Sequence, residues 1–318
     1  MKIQCTKLFQ IALLITLFGC KSEAQLKINI DQEFVTRVET ELASDKMEGR
    51  ELFSPGIEKA SKFIEAEFQK IGLSYYNNLN NYRQEFKTDE KPTNNVIGVL
   101  KGKSKPNEIV VFSAHYDHLG MKTEGDDKVY NGANDDASGS TAVIALAKYF
   151  TEQNNNERTL VFVTFTGEET GGFGSAFFTK NINPEQVVAM FNIEMIGTQS
   201  KWGKNSGYIT GYEKSDFGEI LQRNLKETDF QFYPDPYPTE QLFYRSDNAR
   251  LAAVGVPAHT ISTSKMDSEP NYHQLSDEVS TLDLTNMTAF IRAIALSSQS
   301  IISGTDTPSR VKKLNSKN

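Results

Sequence analysis

The chain has 318 residues, with 34 basic and 41 acidic side chains and a formal net charge of −7. This balance argues against nucleic acid as a main partner, because the chain has no excess of basic side chains for phosphate contacts. Its only two cysteines are Cys5 and Cys20, so the remainder has no disulfide framework and no thiolate-rich zinc site.

The first twenty residues have the pattern of an export signal. Two lysines precede an apolar run from Leu8 to Gly19, which is too short to span a bilayer comfortably. The run ends in Leu-Phe-Gly before Cys20 and resembles the lipobox of bacterial lipoproteins; a plain signal peptide cut near Ala24 is the alternative. We predict a lipoprotein signal peptide over residues 1–19. The protein would then be exported and lipid-anchored through Cys20 to the bacterial cell envelope, on its periplasmic or outer surface.

In the central part of the chain, helix-like and strand-like hydrophobic patterns alternate. An amphipathic helix is predicted over Ile57 to Ile71, with Gly72 as its C-cap. From about Asn95 onward, short β-prone runs alternate with helix candidates, which indicates an α/β fold with a largely parallel sheet covered on both faces. The predicted strands are Val96–Leu100, Ile109–Ala114, Leu160–Thr166, Val187–Met195 and Val254–Ile261. The predicted helices that follow are Ser138–Phe150, Gly174–Asn181, Gly218–Lys226 and one capped by Asp283.

Three of the predicted strands end in polar residues that do not suit a core. His115 and Asp117 follow the second strand, Glu168 and Glu169 the third, and Glu194 the fourth. Because ligands bind beyond the carboxyl ends of strands in open α/β sheets, these side chains are expected to meet in one crevice.

Each of these polar residues has an ordinary alternative role. An aspartate before a helix is usually a cap, and adjacent glutamates are usually a solvated surface pair. Together, however, several carboxylates in one crevice would repel one another unless cations neutralise them. Imidazole and carboxylate donors without thiolate suit zinc or another borderline divalent ion.

Five motifs follow one another along the chain, after an N-terminal segment from Leu42 to Arg50. The motifs are His115-x-Asp117, Asp135-Asp136-Ala137-Ser138-Gly139, Gly167-Glu168-Glu169, Asn192 to Gly197 and Tyr272-His273. Their order resembles that of the co-catalytic di-zinc aminopeptidases, peptidase family M28, which also includes glutamate carboxypeptidase and glutaminyl cyclase. The resemblance covers most of the mature chain and implies the zinc-exopeptidase fold, a three-layer α/β/α sandwich with a mixed, largely parallel central sheet.

The resemblance also implies a role for each site residue. Asp135 would bridge two zinc ions, with a cis peptide bond after it. The remaining metal ligands would be His115 and Glu194 on one ion, and Glu169 and His273 on the other.

Two further residues would act without binding metal. Glu168 would be the general base, and Asp117 would orient His115 by accepting its second ring N–H. His118 would lie near the site without binding metal, and His259 would be a core residue. Asn248 stands where the family commonly has histidine after Arg245-Ser246-Asp247.

The resemblance implies a metal-dependent exopeptidase, most simply a monomeric zinc aminopeptidase acting on peptides with a free N-terminus. Glutaminyl cyclase and a non-catalytic peptide-binding lipoprotein are the alternatives. A zinc carboxypeptidase with an inserted lid domain is disfavoured, because only 25 positions separate Glu169 from Glu194. We predict one zinc peptidase domain over residues 20–302, with a helical segment (26–90) packed on it, and a disordered tail over 303–318.

Overall fold

The computed structural model describes residues 28–314. The predicted signal peptide and Cys20 lie outside these residues. The helices are α1 Gln32–Leu42, α2 Pro55–Ile71, α3 Ser138–Gln153, α4 Phe173–Lys180, α5 Phe217–Asn224, α6 Asn248–Ala253, α7 Leu284–Ser297 and α8 Gln299–Ile302. The strands are β1 Ser74–Tyr75, β2 Arg83–Thr88, β3 Lys91–Leu100, β4 Lys105–His115, β5 Arg158–Phe165, β6 Val187–Ile193, β7 Ser206–Ile209, β8 Gln231–Pro234 and β9 Ala258–Ser262.

One mixed sheet forms the centre of the fold. Its order is β1-β3-β5-β4-β6-β9-β7-β8, and β2 pairs with β3. The four central strands β5, β4, β6 and β9 are mutually parallel, whereas β3 and β7 join them antiparallel on either side. The carboxyl ends of the four parallel strands therefore lie along one edge of the sheet.

The sheet is covered by helices on both faces, as the near-continuous apolar strands predict. Along β4, Val110 and Phe112 contribute to one hydrophobic cluster, with α1, α2, α3, α5 and α7. Val111 points to the other face and packs in a second cluster with α4 and α6. This alternation of side chains confirms the predicted three-layer α/β/α sandwich.

The predicted helix ends agree with local capping. Ser54 accepts hydrogen bonds from the first backbone N–H groups of α2, and Gly72 ends that helix in the left-handed conformation. The Asp283 side chain accepts from the backbone N–H of Asn286 and so caps α7.

The predicted helical segment over residues 26–90 contains α1, which follows the N-cap Asp31 and buries Val35 and Val38. One segment differs from the predictions. The prediction of a disordered tail is wrong for residues 303–314: Val311 is buried, and the Arg310 guanidinium donates to the carbonyl oxygen of Val187. These residues reach back to the sheet, which composition alone does not indicate.

The single-domain organisation of residues 20–302 stays a prediction. Among residues 28–314, none of the helices is both long and apolar enough to cross a bilayer.

Candidate metal centre

The predicted site residues come together at the carboxyl edge of the sheet. His115 is the last residue of β4, Glu168 and Glu169 follow β5, and Glu194 directly follows β6. Asp135 lies in the turn before α3, and His273 lies in the long loop after β9.

Asp135 lies between two imidazole rings. Its Oδ1 is 3.3 Å from Nε2 of His115, and its Oδ2 is 3.2 Å from Nε2 of His273. The same His273 nitrogen is 3.0 Å from Oε2 of Glu169. The peptide bond after Asp135 is cis, as the resemblance implies.

The spacing of these donor atoms is that of ligands around a metal ion. Among the described residues, Nε2 of His115, Nε2 of His273 and Oδ2 of Asp135 are buried and make no hydrogen bond. A tetrahedral zinc ion with ligand bonds of about 2.0–2.1 Å separates its ligand atoms by about 3.3–3.4 Å. The spacings of 3.0–3.3 Å around Asp135 are close to that value.

The charges of this group also favour bound cations. Burial opposes ionisation of Asp135, but the neighbouring imidazoles outweigh it and hold the pKa of this carboxyl well below its usual range. The contacts with Asp135 and Glu169 raise the pKa of His273 to about 10. The structure therefore stabilises an anionic carboxylate here by positive charge on the histidines, a role that a metal ion can take over.

Glu194 lies in one pocket with Asp135, but its carboxylate is hydrogen-bonded to two neighbouring side chains. Its Oε2 accepts a short hydrogen bond from the Ser246 hydroxyl and a longer one, 3.4 Å, from the Asn192 side-chain amide. Burial raises the pKa of Glu194 to about 7. The residue is thus in the expected place, with one oxygen engaged by a neighbouring loop.

The carboxyl group of Glu168 lies in the same pocket as the metal-candidate donors. It lines the pocket beside Asp135, and none of its side-chain hydrogen bonds ties it to the metal-candidate donors. Burial raises the pKa of Glu168 well above its usual value, and the nearby carboxylates of Glu194 and Asp247 add to this rise. A carboxylate with a raised pKa is better matched to accepting a proton near neutral pH.

Asp117 differs from its predicted role. Nδ1 of His115 is 3.1 Å from the main-chain oxygen of Asp117 and 3.7 Å from its carboxylate, which is beyond hydrogen-bond range. The carboxylate instead accepts the backbone N–H groups of Glu168 and Glu169, at 3.2 and 3.3 Å. Asp117 therefore positions both the turn after β5 and, through its backbone, the ring of His115.

The other two histidines are both buried. Nδ1 of His118 is 2.9 Å from Oε1 of Glu169, and His118, Asp135 and Glu169 bring donor atoms to within 4.8 Å of one another, which is a group that could hold a metal ion. That His118 binds no metal stays a prediction. His259 is buried, with its ring between the Ser215 hydroxyl at 2.7 Å and the Thr210 carbonyl at 2.8 Å.

Two carboxylates without a predicted role hold the Asp135 turn in place. Asp277 accepts the backbone N–H groups of Asn134 and Asp135, at 2.8 and 3.0 Å. Asp136 accepts from three backbone N–H groups, those of His115, Gly139 and Met195. Asp136 belongs to the motif that begins at Asp135, whereas Asp277 lies outside the quoted motifs, and only the backbone partners of both acids show what they do.

The Asn248 amide replaces the histidine common in the family. It donates to the carbonyl oxygens of Phe243 and Ala258 and accepts from Thr260. It therefore ties the loop before α6 to β9, next to the pocket.

The pocket above the donors is small and mixed in polarity. Its volume is about 80 Å³. Beyond the acidic residues, its lining includes Met195, Tyr208, Leu242, Met266 and Tyr272, together with Arg245 and four serine and threonine residues. Trp202 stacks on Tyr233, with the ring centroids 4.1 Å apart, and neither ring is part of this lining.

An α/β/α sandwich that gathers two imidazoles and a set of carboxylates at the ends of its parallel strands has the architecture of the zinc exopeptidases. The comparison with protein families agrees: Peptidase family M28 matches residues 95–297. The chain belongs to peptidase family M28.

The alignments with individual relatives include only part of this chain and about half of each relative. A probable leucine aminopeptidase of Trichophyton verrucosum is 28% identical over 201 residues, which is 61% of this chain and 53% of the relative. Aminopeptidase Y of Saccharomyces cerevisiae is 27% identical over 255 residues, 74% of this chain and 42% of the relative. The chain thus spans about half the length of these curated relatives.

A solved structure shows the same fold over a greater share of the chain. The zinc aminopeptidase BSAP from Bacillus subtilis has a TM-score of 0.71 and 12% identity, covering 88% of this chain and 97% of the other. At this identity the likeness shows the shared fold alone.

The relatives correct one prediction. The matches include fungal aminopeptidases and a vacuolar membrane protease of Kluyveromyces lactis, 30% identical over 56% of this chain and 21% of the relative. They contradict the predicted lipid-anchored location at a bacterial cell envelope. The physical reason for the error is that a basic start followed by a short apolar run is common to export signals in general and does not by itself specify a bacterial envelope.

Proposed function

We propose that this protein is a zinc-dependent aminopeptidase that removes N-terminal residues from peptides. The observation that carries the proposal is the position of the Asp135 carboxylate between the free ring nitrogens of His115 and His273, 3.3 and 3.2 Å away. The carboxyl of Glu168, which no metal-candidate donor engages, lines the same pocket.

The donors divide into two candidate metal positions that share Asp135. The His115 position comprises His115, Asp135 and Glu194. The His273 position comprises Asp135, Glu169 and His273. Two histidines and three carboxylates form a donor set of the kind that zinc binds, with no thiolate.

Zinc bound at these positions would supply an acidified water and a positive charge for the oxygen of the attacked carbonyl. Glu168 would accept the proton from the attacking water and return it to the leaving amine. Asp117 would keep Glu168 in place through the backbone of the turn that follows β5. His118 would keep Glu169 oriented through its 2.9 Å contact.

The lining of the pocket supports an exopeptidase that accepts an apolar side chain. The lining by Met195, Leu242, Met266 and two tyrosines favours medium-sized apolar residues at the substrate N-terminus.

The test is a panel of aminoacyl chromogenic amides and matching N-terminally blocked peptides, assayed with zinc, with a chelator, and with zinc restored. We expect cleavage of free-amine substrates only, fastest for apolar residues. Activity should be lost with the chelator and recovered with zinc.

Three outcomes would contradict the proposal. Full activity in metal-stripped protein would rule out metal dependence. Cleavage only at free C-termini would indicate a carboxypeptidase. Cyclisation of peptides with N-terminal glutamine, without hydrolysis, would indicate a glutaminyl cyclase, the alternative with the same fold.

A further inference from the structure

Arg50 is one of the most deeply buried charged side chains among the described residues, with 1% of its surface exposed. Its guanidinium donates four hydrogen bonds, all to main-chain carbonyl oxygens. Nε donates to Tyr116 at 2.8 Å, Nη1 to Leu42 and Asn131 at 2.7 and 2.6 Å, and Nη2 to Gly132 at 2.9 Å.

Three of these acceptors lie near the two ends of the connection between β4 and α3, and each end carries a metal-candidate donor. Tyr116 directly follows His115, and Asn131 and Gly132 precede Asp135 by four and three positions. A single planar cation therefore links the start of this connection (the His115 loop) to its end (the Asp135 loop). The relative position of these two ends sets the 3.3 Å distance between His115 and Asp135.

The backbone around Arg50 is docked on the first of these loops. Gly49 has φ 67° and Arg50 has φ 53°, so the chain makes a left-handed turn here. The carbonyl oxygens of Gly49 and Arg50 accept the backbone N–H groups of Gly120 and His118, at 2.9 and 3.2 Å. A β-carbon on Gly49 would lie 2.0 Å from the Gly120 oxygen, so the contact requires glycine.

A second link from the same N-terminal segment reaches the other loop. The Asn131 side-chain amide donates to Asp45 at 2.9 Å and to Glu278 at 2.7 Å. The Asp135 turn is thus held between the N-terminal segment on one side and the loop carrying Asp277 and Glu278 on the other.

We propose that Arg50 is a positioning residue for the metal centre, which fixes the distance between the His115 and Asp135 loops. The segment that supplies it precedes residue 95, where the family match begins, so the metal centre depends on chain outside the matched region. The inference rests on the proposed function for the identity of the metal.

Arginine suits this role and lysine does not. The guanidinium holds its donors in a rigid plane and can reach acceptors on three segments at once, whereas an ammonium is a single point with rotating donors. Lysine at this position would leave buried carbonyl oxygens without donors and would let the two loops separate.

The test compares Arg50→Lys with Arg158→Lys. Arg158 is a matched control because it is equally buried and also makes main-chain hydrogen bonds, to Ile301 and Asp306, but it links β5 to the C-terminal segment away from the metal centre. Zinc affinity is measured by competition with a chromophoric chelator, thermal stability by unfolding, and kcat and KM on the preferred amide.

We expect both variants to lose thermal stability, but only R50K to lose zinc affinity, by tenfold or more, with a fall in kcat and little change in KM. Zinc affinity in R158K should stay within twofold of wild type. R50K with wild-type zinc affinity, or equal losses of zinc affinity in both variants, would overturn the proposal. Should R50K fail to fold, Asp45→Ala, an exposed substitution on the second link, takes its place, and unchanged zinc affinity there would overturn it equally.

The experiment separates this inference from the proposed function. Zinc binding by the wild-type protein is measured first, and its absence contradicts the proposed function. A loss of zinc affinity in R50K but not in R158K supports the role of Arg50, whichever substrates the wild-type protein cleaves.

Discussion

The two candidate metal positions differ in how their donors are held. At the His273 position, one ring nitrogen lies 3.0 and 3.2 Å from the two carboxylates it faces. At the His115 position, the histidine is fixed at a strand end and 2% exposed, but Glu194 is engaged by Ser246 and Asn192. His273 is 35% exposed on a loop.

This contrast teaches that a histidine on a rigid strand end does not ensure that the other ligand atoms point toward it. At the His115 position the histidine is held in place, but the Glu194 carboxylate is hydrogen-bonded to Ser246. At the His273 position the histidine already contacts both carboxylates. We expect zinc to occupy the His273 position first, because no hydrogen bond to Ser246 has to be replaced there.

The largest expected effect is on activity and comes from changing Glu168, the proposed base that lies beside both metal positions. Metal binding should not change. Glu168→Gln should lower kcat by about 10²–10⁴-fold, because the amide cannot accept the proton of the attacking water. Metal content, measured by atomic emission, should stay near two zinc ions per chain. Glu152→Gln, an exposed substitution on α3, is the control and should keep wild-type activity. A wild-type rate in E168Q would show that the base is another group.

A smaller effect is expected from releasing Glu194. Ser246→Ala removes the hydroxyl that holds the Glu194 carboxylate at the His115 position. Loss of this competing hydrogen bond to a charged group should tighten zinc binding at that position by about tenfold, and binding at the other position should be unchanged. Stepwise zinc titration followed by calorimetry checks this.

The control for this variant is Ser297→Ala, a buried truncation on α7 whose hydroxyl bonds only within its helix. Equal tightening of both sites in S246A, or no change in either, would remove the proposed difference between the positions.

The smallest effect concerns His259, which lies outside both metal positions. Burial lowers the pKa of His259 to about 4, from an ordinary value of about 6.5. The unfolded chain therefore binds a proton that the folded chain does not between these values, and stability falls as pH drops through this window.

For His259 alone this amounts to about 1 kcal/mol between pH 7.5 and 5.5. Urea unfolding at these two pH values should show a shallower pH dependence in His259→Gln than in the wild type. Identical slopes would mean that His259 is protonated in the folded protein. Metal-loaded protein is used throughout, so that the site histidines do not titrate.

The sequence by itself determined the structural features that depend on residues close together along the chain. The alternation of apolar strands and helices, the caps at Gly72 and Asp283, and the polar residues after β4, β5 and β6 are all local patterns, and each has its predicted counterpart in the structure. Local periodicity and capping are readable because they involve residues within a few positions of one another.

Features that depend on distant residues were decided by the tertiary structure. The Asp117 carboxylate was predicted to face His115, but the turn after β5 brings two backbone N–H groups closer to it. Glu194 is turned by Ser246, 52 positions away. Arg50 finds its acceptors up to 82 positions away. No local pattern encodes these contacts, because hydrogen-bond partners of buried polar groups are chosen only when the packed sheet brings separate loops together.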